Sequence, residues 1–184
     1  MKQYLALLRG INVGGNNLVP MSALKACLEG LGHQDVLTYI QSGNVIFRAD
    51  AKDRARLTAE IEQALSAAFG YEARIVLRSR TEMEKIIAGA PEGFGASPDL
   101  YRYDVIFLKE PLTSAKAMKE LKVKEGVDQA FAGRGVLYFA RLFSKLTQSH
   151  LARINAMPMY QSMTVRNWNT TTKLVALMRS MDEH

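Results

Sequence analysis

Between Gln129 and Met181 the chain has no aspartate or glutamate, although it carries 18 of them in 184 residues. An even spread would place about five acids in a window this long, so their absence marks a segment kept positive. The same window holds Arg134, Arg141, Lys145, Arg153, Arg166, Lys173 and Arg179, and the net charge of +6 is therefore local. The first 28 residues are acid-free as well, and the first acid is Glu29. A paired-carboxylate mechanism cannot be built from such segments, whereas an anionic partner suits them. Cysteine is nearly absent: Cys27 is alone, which excludes an internal disulfide and a Cys-rich metal site and fits a reducing, cytoplasmic setting. The three histidines, His33, His150 and His184, have no metal-ligand spacing, and no metal is expected. Long apolar runs are missing too. The apolar start Tyr4-Leu5-Ala6-Leu7-Leu8 stops at Arg9, too short for a signal or a membrane span, and reads as a strand.

What is present is a globular composition, 48 % hydrophobic and 23 % charged, enough for one domain or for two small halves. Residues 3–9 read as a strand, a helix starts near Pro20 with Met21, Leu24, Leu28 and Leu31 on one face, and Gly32 ends it. Val36–Gln41 and Val45–Phe47 form a hairpin turning at Ser42-Gly43-Asn44. A helix over 53–69 carries Leu57, Ile61, Leu65 and Phe69 at steps of four, and Ala73–Leu77 is a strand. The order βαββαβ is that of a ferredoxin-like α/β plait, an α+β fold. After a short helix over 81–89, the Gly-, Pro- and Ser-rich stretch Gly89–Pro98 is the candidate boundary. A weaker echo follows: strand 101–108, helix 113–121, a hairpin of 127–132 and 136–140 turning at Gly133-Arg134-Gly135, and a last helix with Leu174, Leu177, Met178 and Met181 on its apolar face. The expected architecture is two half-domains, 1–79 and 80–184, the second an α-βαββα variant with the basic segment, sharing a cleft.

Three polar segments offer free backbone groups. In Arg9-Gly10-Ile11-Asn12-Val13-Gly14-Gly15, the glycines permit a concave nest of N–H groups, with Arg9 and Asn12 beside it. Its spacing matches neither G-x-x-x-x-G-K-[ST] nor G-x-G-x-x-G, so neither phosphate loop is present and no cofactor is expected. A plain glycine turn explains it equally well. Thr38–Asn44 offers Ser42 and Asn44 at a hairpin end, against ordinary turn chemistry. Thr164–Lys173 brings Arg166, Asn167, Asn169, Thr170 and Lys173 to the start of the last helix, with Asn169 or a neighbouring threonine as its cap and the helix end favouring an anion. Trp168 alone reads as a core or interface residue. Ser144 and Lys145 extend the basic character, and as sequence neighbours they are poorly placed for a catalytic dyad.

Taken together, Leu8–Gly15, Thr38–Phe47, Ser144–Thr147 and Thr164–Leu174 resemble the bacterial family called domain of unknown function 1697. The resemblance implies a plait of two ferredoxin-like halves and carries no activity with it. Ala156-Met157-Pro158-Met159-Tyr160 departs from the short glycine-containing turn of that family. The first functional reading is an anion-binding cleft for a small phosphorylated or carboxylated ligand, on Arg9, Asn12, Gly14, Gly15, Ser42, Asn44, Ser144, Lys145, Arg166, Asn167, Asn169, Thr170 and Lys173. The second is a nucleic-acid module, which needs Tyr103, Phe107, Tyr138 and Phe139 to face outward on their strands. The third is a protein-interaction scaffold. No membrane partner is expected, and the sequence names no reaction and no oligomeric state.

Overall fold

The computed structural model describes residues 1–182; His184, one of the three scattered histidines, lies outside them. The chain divides into two compact units, Met1–Met83 with the segment from Leu177, and Glu84–Ala176. The first contains β1 (Lys2–Leu8), α1 (Met21–Gly30), β2 (Gln34–Tyr39), β3 (Asn44–Ala49), α2 (Arg54–Phe69) and β4 (Ile75–Ser79). Helix α3 (Arg80–Ala88) leads into β5 (Tyr101–Leu108), α4 (Ser114–Glu120), β6 (Asp128–Gly133) and β7 (Val136–Leu142). There follow a 3₁₀ turn over Phe143–Gln148, the single turn α5 (Leu151–Ile154), a second 3₁₀ turn over Pro158–Ser162, β8 (Met163–Asn167) and α6 (Trp168–Ser180).

Each unit holds one four-stranded antiparallel sheet, in the orders β2-β3-β1-β4 and β6-β7-β5-β8. Both are the ferredoxin-like order, with the first and third strands of each repeat in the centre. The second half is thus a full βαββαβ. Residues 163–167 were expected as part of a polar segment; they form β8 because Met163 and Val165 alternate onto the core while Thr164 and Arg166 take the other face.

Local chemistry sets the boundaries. Asp53 caps α2, accepting hydrogen bonds from Ala55 N (2.8 Å) and Arg56 N (3.3 Å), and Gly70 at φ 68° closes it. Leu57, Ile61 and Leu65 of α2 and Leu24 and Leu28 of α1 bury against Tyr4, Ala6, Leu8, Val45 and Phe47. In the second half Ile106, Leu108, Leu137, Phe139 and Met163 pack on Ala117 of α4 and Ile154 of α5. The opposite face of each sheet is buried as well, by Leu5, Leu7 and Ile46 in one and Val105, Phe107 and Tyr138 in the other. This is why the central strands read as nearly continuous apolar runs.

Candidate functional site

The glycine loop and the first hairpin do meet. Val13 and Asn16 bridge across Gly14 (φ 60°) and Gly15 (φ 78°), the two-residue turn with positive φ at both centres that glycine adopts without strain. Asn12 donates from Nδ2 to Val19 O (3.0 Å) and Gln41 O (2.9 Å) and accepts from Val19 N (2.8 Å), tying the loop to the hairpin end. Gly43 lies so close to this loop that a Cβ there would stand 2.6 Å from Ile11 Cδ1. Asn44, fully buried, is the first residue of β3 rather than a turn residue, and its amide donates to Tyr39 O (2.8 Å) and Ser42 Oγ (3.1 Å). The polar side chains here thus hold two turns together. Arg9 stands half-buried at the end of β1, its N–H bonded to Arg74 O.

In the second half Ser144 and Lys145 are exposed on the 3₁₀ turn. Arg166 turns inward, 7 % exposed, with Nη1 donating to Thr164 Oγ1 and Val165 O, both at 2.9 Å, and burial lowers its guanidinium to about 10. The cap of α6 is Asn167, not Asn169: its Oδ1 accepts from Thr170 N at 2.7 Å, because the helix starts directly at the end of β8. The threonine run serves the helix itself, Thr171 Oγ1 donating to Asn167 O and Thr172 Oγ1 to Asn169 O. Asn169 and Lys173 stay exposed, and Thr170 is buried.

The head of α6 opens onto a cavity of about 210 Å³ lined chiefly by Tyr101, Arg102, Phe143, Asn167, Trp168 and Asn169. Trp168 is held edge-on by Phe94 at 5.2 Å, and Gly95 makes room for it, since a Cβ there would lie 2.4 Å from Nε1. Phe94 also meets Tyr103 and Tyr138, so the stretch Gly89–Pro98 forms a packed wall rather than a loose connection. The Arg102 guanidinium stands 5.9 Å from the centroid of Phe143, a ring 52 % exposed. The lining therefore offers ring faces, one cation and two amide side chains at the start of a 13-residue helix, with no carboxylate, imidazole or thiol. The lining thus presents none of those three groups for acid–base chemistry. Tyr101, Arg102 and Phe143 escape a reading by motif because they lie apart from any polar run. The aromatic platform needed for RNA on the sheet is not available: Phe107, Tyr138 and Phe139 are buried because both sheet faces are covered.

The molecule is a two-half α+β protein whose halves repeat the ferredoxin-like plait. Residues 1–138 match the family described as Protein of unknown function (DUF1697), and the chain belongs to that family. The match takes in the motifs at 8–15 and 38–47 and ends before those at 144–147 and 164–174. The chain is similar to the conserved bacterial protein SP0830 from Streptococcus pneumoniae, with 26 % identity, a TM-score of 0.84, and coverage of 97 % of this chain and 99 % of that one. No curated protein matches it. No helix among the described residues is long and apolar enough to cross a membrane, and those residues hold no cluster of potential metal ligands.

Proposed function

We propose that the protein binds a small phosphorylated or carboxylated ligand carrying a flat ring, in the cavity at the head of α6. The observation that carries this reading is the meeting of Trp168, Tyr101 and Phe143 with Arg102 and the Asn167-capped helix start. A ring stacks on aromatic faces, and an anionic group is favoured by Arg102 and by the free end of the helix dipole. At about 210 Å³ the cavity suits a ring or a ring edge, leaving the charged group at its mouth. Of the residues first assigned to the anion cleft, Asn167 and Asn169 belong to this site.

Trp168 is the only tryptophan, so its emission reports on the cavity directly. The experiment titrates the full chain with nucleoside monophosphates, aromatic carboxylates, inorganic phosphate and a short single-stranded RNA. A saturable change with a ring-bearing anion, weakened roughly tenfold by Phe143→Ala, is expected. Emission unmoved by every ring-bearing anion would overturn the reading. A response confined to RNA, falling steeply with salt, would transfer the site to nucleic acid.

A further inference from the structure

Among the described residues the two sheets have four outer strands, and three of these carry a device against pairing with another chain. β2 breaks register between Gln34 and Leu37, with Asp35 at φ 51° and paired to Arg48 at 2.9 Å. β4 and β8 each hold a buried arginine, Arg78 and Arg166. β6 has no such device. It runs in unbroken register from Asp128 to Gly133 against β7, and Gln129-Ala130-Phe131-Ala132-Gly133 contains no charge and no proline. Phe131, in the middle of this run, is 40 % exposed. An uncharged, unbulged edge is a template for a further strand.

The ladder shows which backbone groups of β6 are free. Val127 O accepts from Leu142 N at 2.8 Å, and in an antiparallel pair the bonded positions alternate. Residues 127, 129, 131 and 133 therefore direct their N–H and C=O groups to β7. Ala130 and Ala132 direct theirs outward, where no group among the described residues bonds them.

We infer that β6 is a self-association edge, at which two copies of this chain pair antiparallel and join their four-stranded sheets into one. About a twofold axis at Phe131, Ala130 of one copy stands opposite Ala132 of the other, and each such pair exchanges two backbone hydrogen bonds. Phe131 falls on a non-hydrogen-bonded position facing its own copy, where cross-strand side chains are closest and aromatic rings attract. Gln129 faces Gly133 and Asp128 faces Arg134, so no like charges oppose one another. A slip of one residue would set Ala130 against Gly133, whose backbone groups are already bonded to β7. The phase of the hydrogen bonds and the side-chain pairing thus favour the same twofold register. The inference does not involve the ring-binding cavity.

Sedimentation velocity of the full chain tests it: because the strand pair is shorter than a standard interface, a reversible dimer with a Kd on the order of 10–100 µM is expected. Ala132→Pro removes an outward N–H without touching the β6–β7 ladder and should weaken the dimer roughly tenfold or more. Phe131→Lys, at an exposed position, sets like charges face to face and should do the same; it carries the test if the proline variant does not fold. The register is read in a Cys27→Ala background with diamide as oxidant. Phe131→Cys should then give a disulfide dimer, while Gln129→Cys, held about 13 Å from its copy, should not. A chain that stays monomeric up to about 500 µM would overturn the inference and leave the edge to a peptide of another protein. So would a dimer that both β6 variants leave intact, or one cross-linked through Gln129→Cys and not through Phe131→Cys.

Discussion

Leu8 at the end of β1 donates its N–H to Gly43 O at 2.8 Å, and Leu108 at the end of β5 donates to Gly135 O at 3.0 Å. One residue further, Arg9 N reaches Arg74 O and Lys109 N reaches Ser162 O, again at corresponding positions. Arg78 and Arg166 are both buried, and each returns an Nη1 bond of 2.9 Å to the carbonyl of the residue before it. The two halves thus share backbone geometry and a buried arginine just before a capped helix. They differ where side chains face the cavity at that helix head: cations in the first half, aromatic rings in the second. Backbone hydrogen bonding constrains the path of a repeat, while residues at its rim are free to take up separate chemistry.

The largest expected break in this comparison lies beside the second cavity. Asp104 pairs with Arg141 at 2.5 Å with side chains 8 % and 18 % exposed, and burial pushes the Asp104 carboxyl above its ordinary range despite Arg141. The corresponding first-half residues are Tyr4 and Ala49, both part of the apolar core. Asp104→Ala would leave a buried guanidinium unpaired and should cost about 3–5 kcal/mol in chemical denaturation. Asp104→Leu with Arg141→Met, a pair as apolar as that of the first half, should recover most of the loss. A single substitution as mild as the double would show that the pair is solvated and that the halves differ less than their burial implies.

A smaller effect tests what the halves share. Gly43 sits at φ 78°, and an added Cβ would stand 2.6 Å from Ile11 Cδ1 and 2.8 Å from Leu8 Cβ. Gly43→Ala should therefore destabilise by on the order of 2 kcal/mol, combining backbone strain with overpacking. A loss within a few tenths of a kcal/mol would mean that the hairpin end can move away from the glycine loop.

Much of the fold was legible because it rests on periodicity. The four-residue steps of Leu57, Ile61 and Leu65, and the unbroken run Val105–Leu108, need no tertiary knowledge. Strand β8 was hidden because its sequence, Met163-Thr164-Val165-Arg166-Asn167, puts threonine and arginine on a face that only the fold buries. The site was less legible for the same reason. Charge density pointed to Arg166, which burial withdraws, whereas Arg102 and Phe143 come together only when β5 and β7 pair at Arg102 and Arg141. Asn12 and Asn44 looked like donors for a ligand, yet their amides bond backbone carbonyls of Val19, Gln41 and Tyr39. A sequence shows which groups can form hydrogen bonds, but not which of them the fold itself uses.

The finest distinction between the halves is how each caps its post-strand helix. In the first, Ser79 and Glu82 form a reciprocal capping box, Glu82 Oε2 accepting from Ser79 N and Ser79 Oγ facing Glu82 N at 3.3 Å. Burial alone would raise the Glu82 carboxyl, but its bonds from Ser79 and Arg54 outweigh this and hold it below its ordinary 4.5. A carboxyl lowered by folding stabilises above its unfolded value and loses that contribution as the pH falls through its folded one. The deficit of Glu82→Gln should therefore be full at neutral pH and shrink below about pH 4.5, modest throughout because the side chain is 37 % exposed. In the second half the cap is the amide of Asn167, which does not titrate. Asn167→Ala should cost about 1 kcal/mol, equally at pH 7 and pH 4. Denaturation of both variants at the two pH values separates the caps. A Glu82→Gln deficit that does not change with pH would show that the first cap, like the second, acts through hydrogen bonding alone.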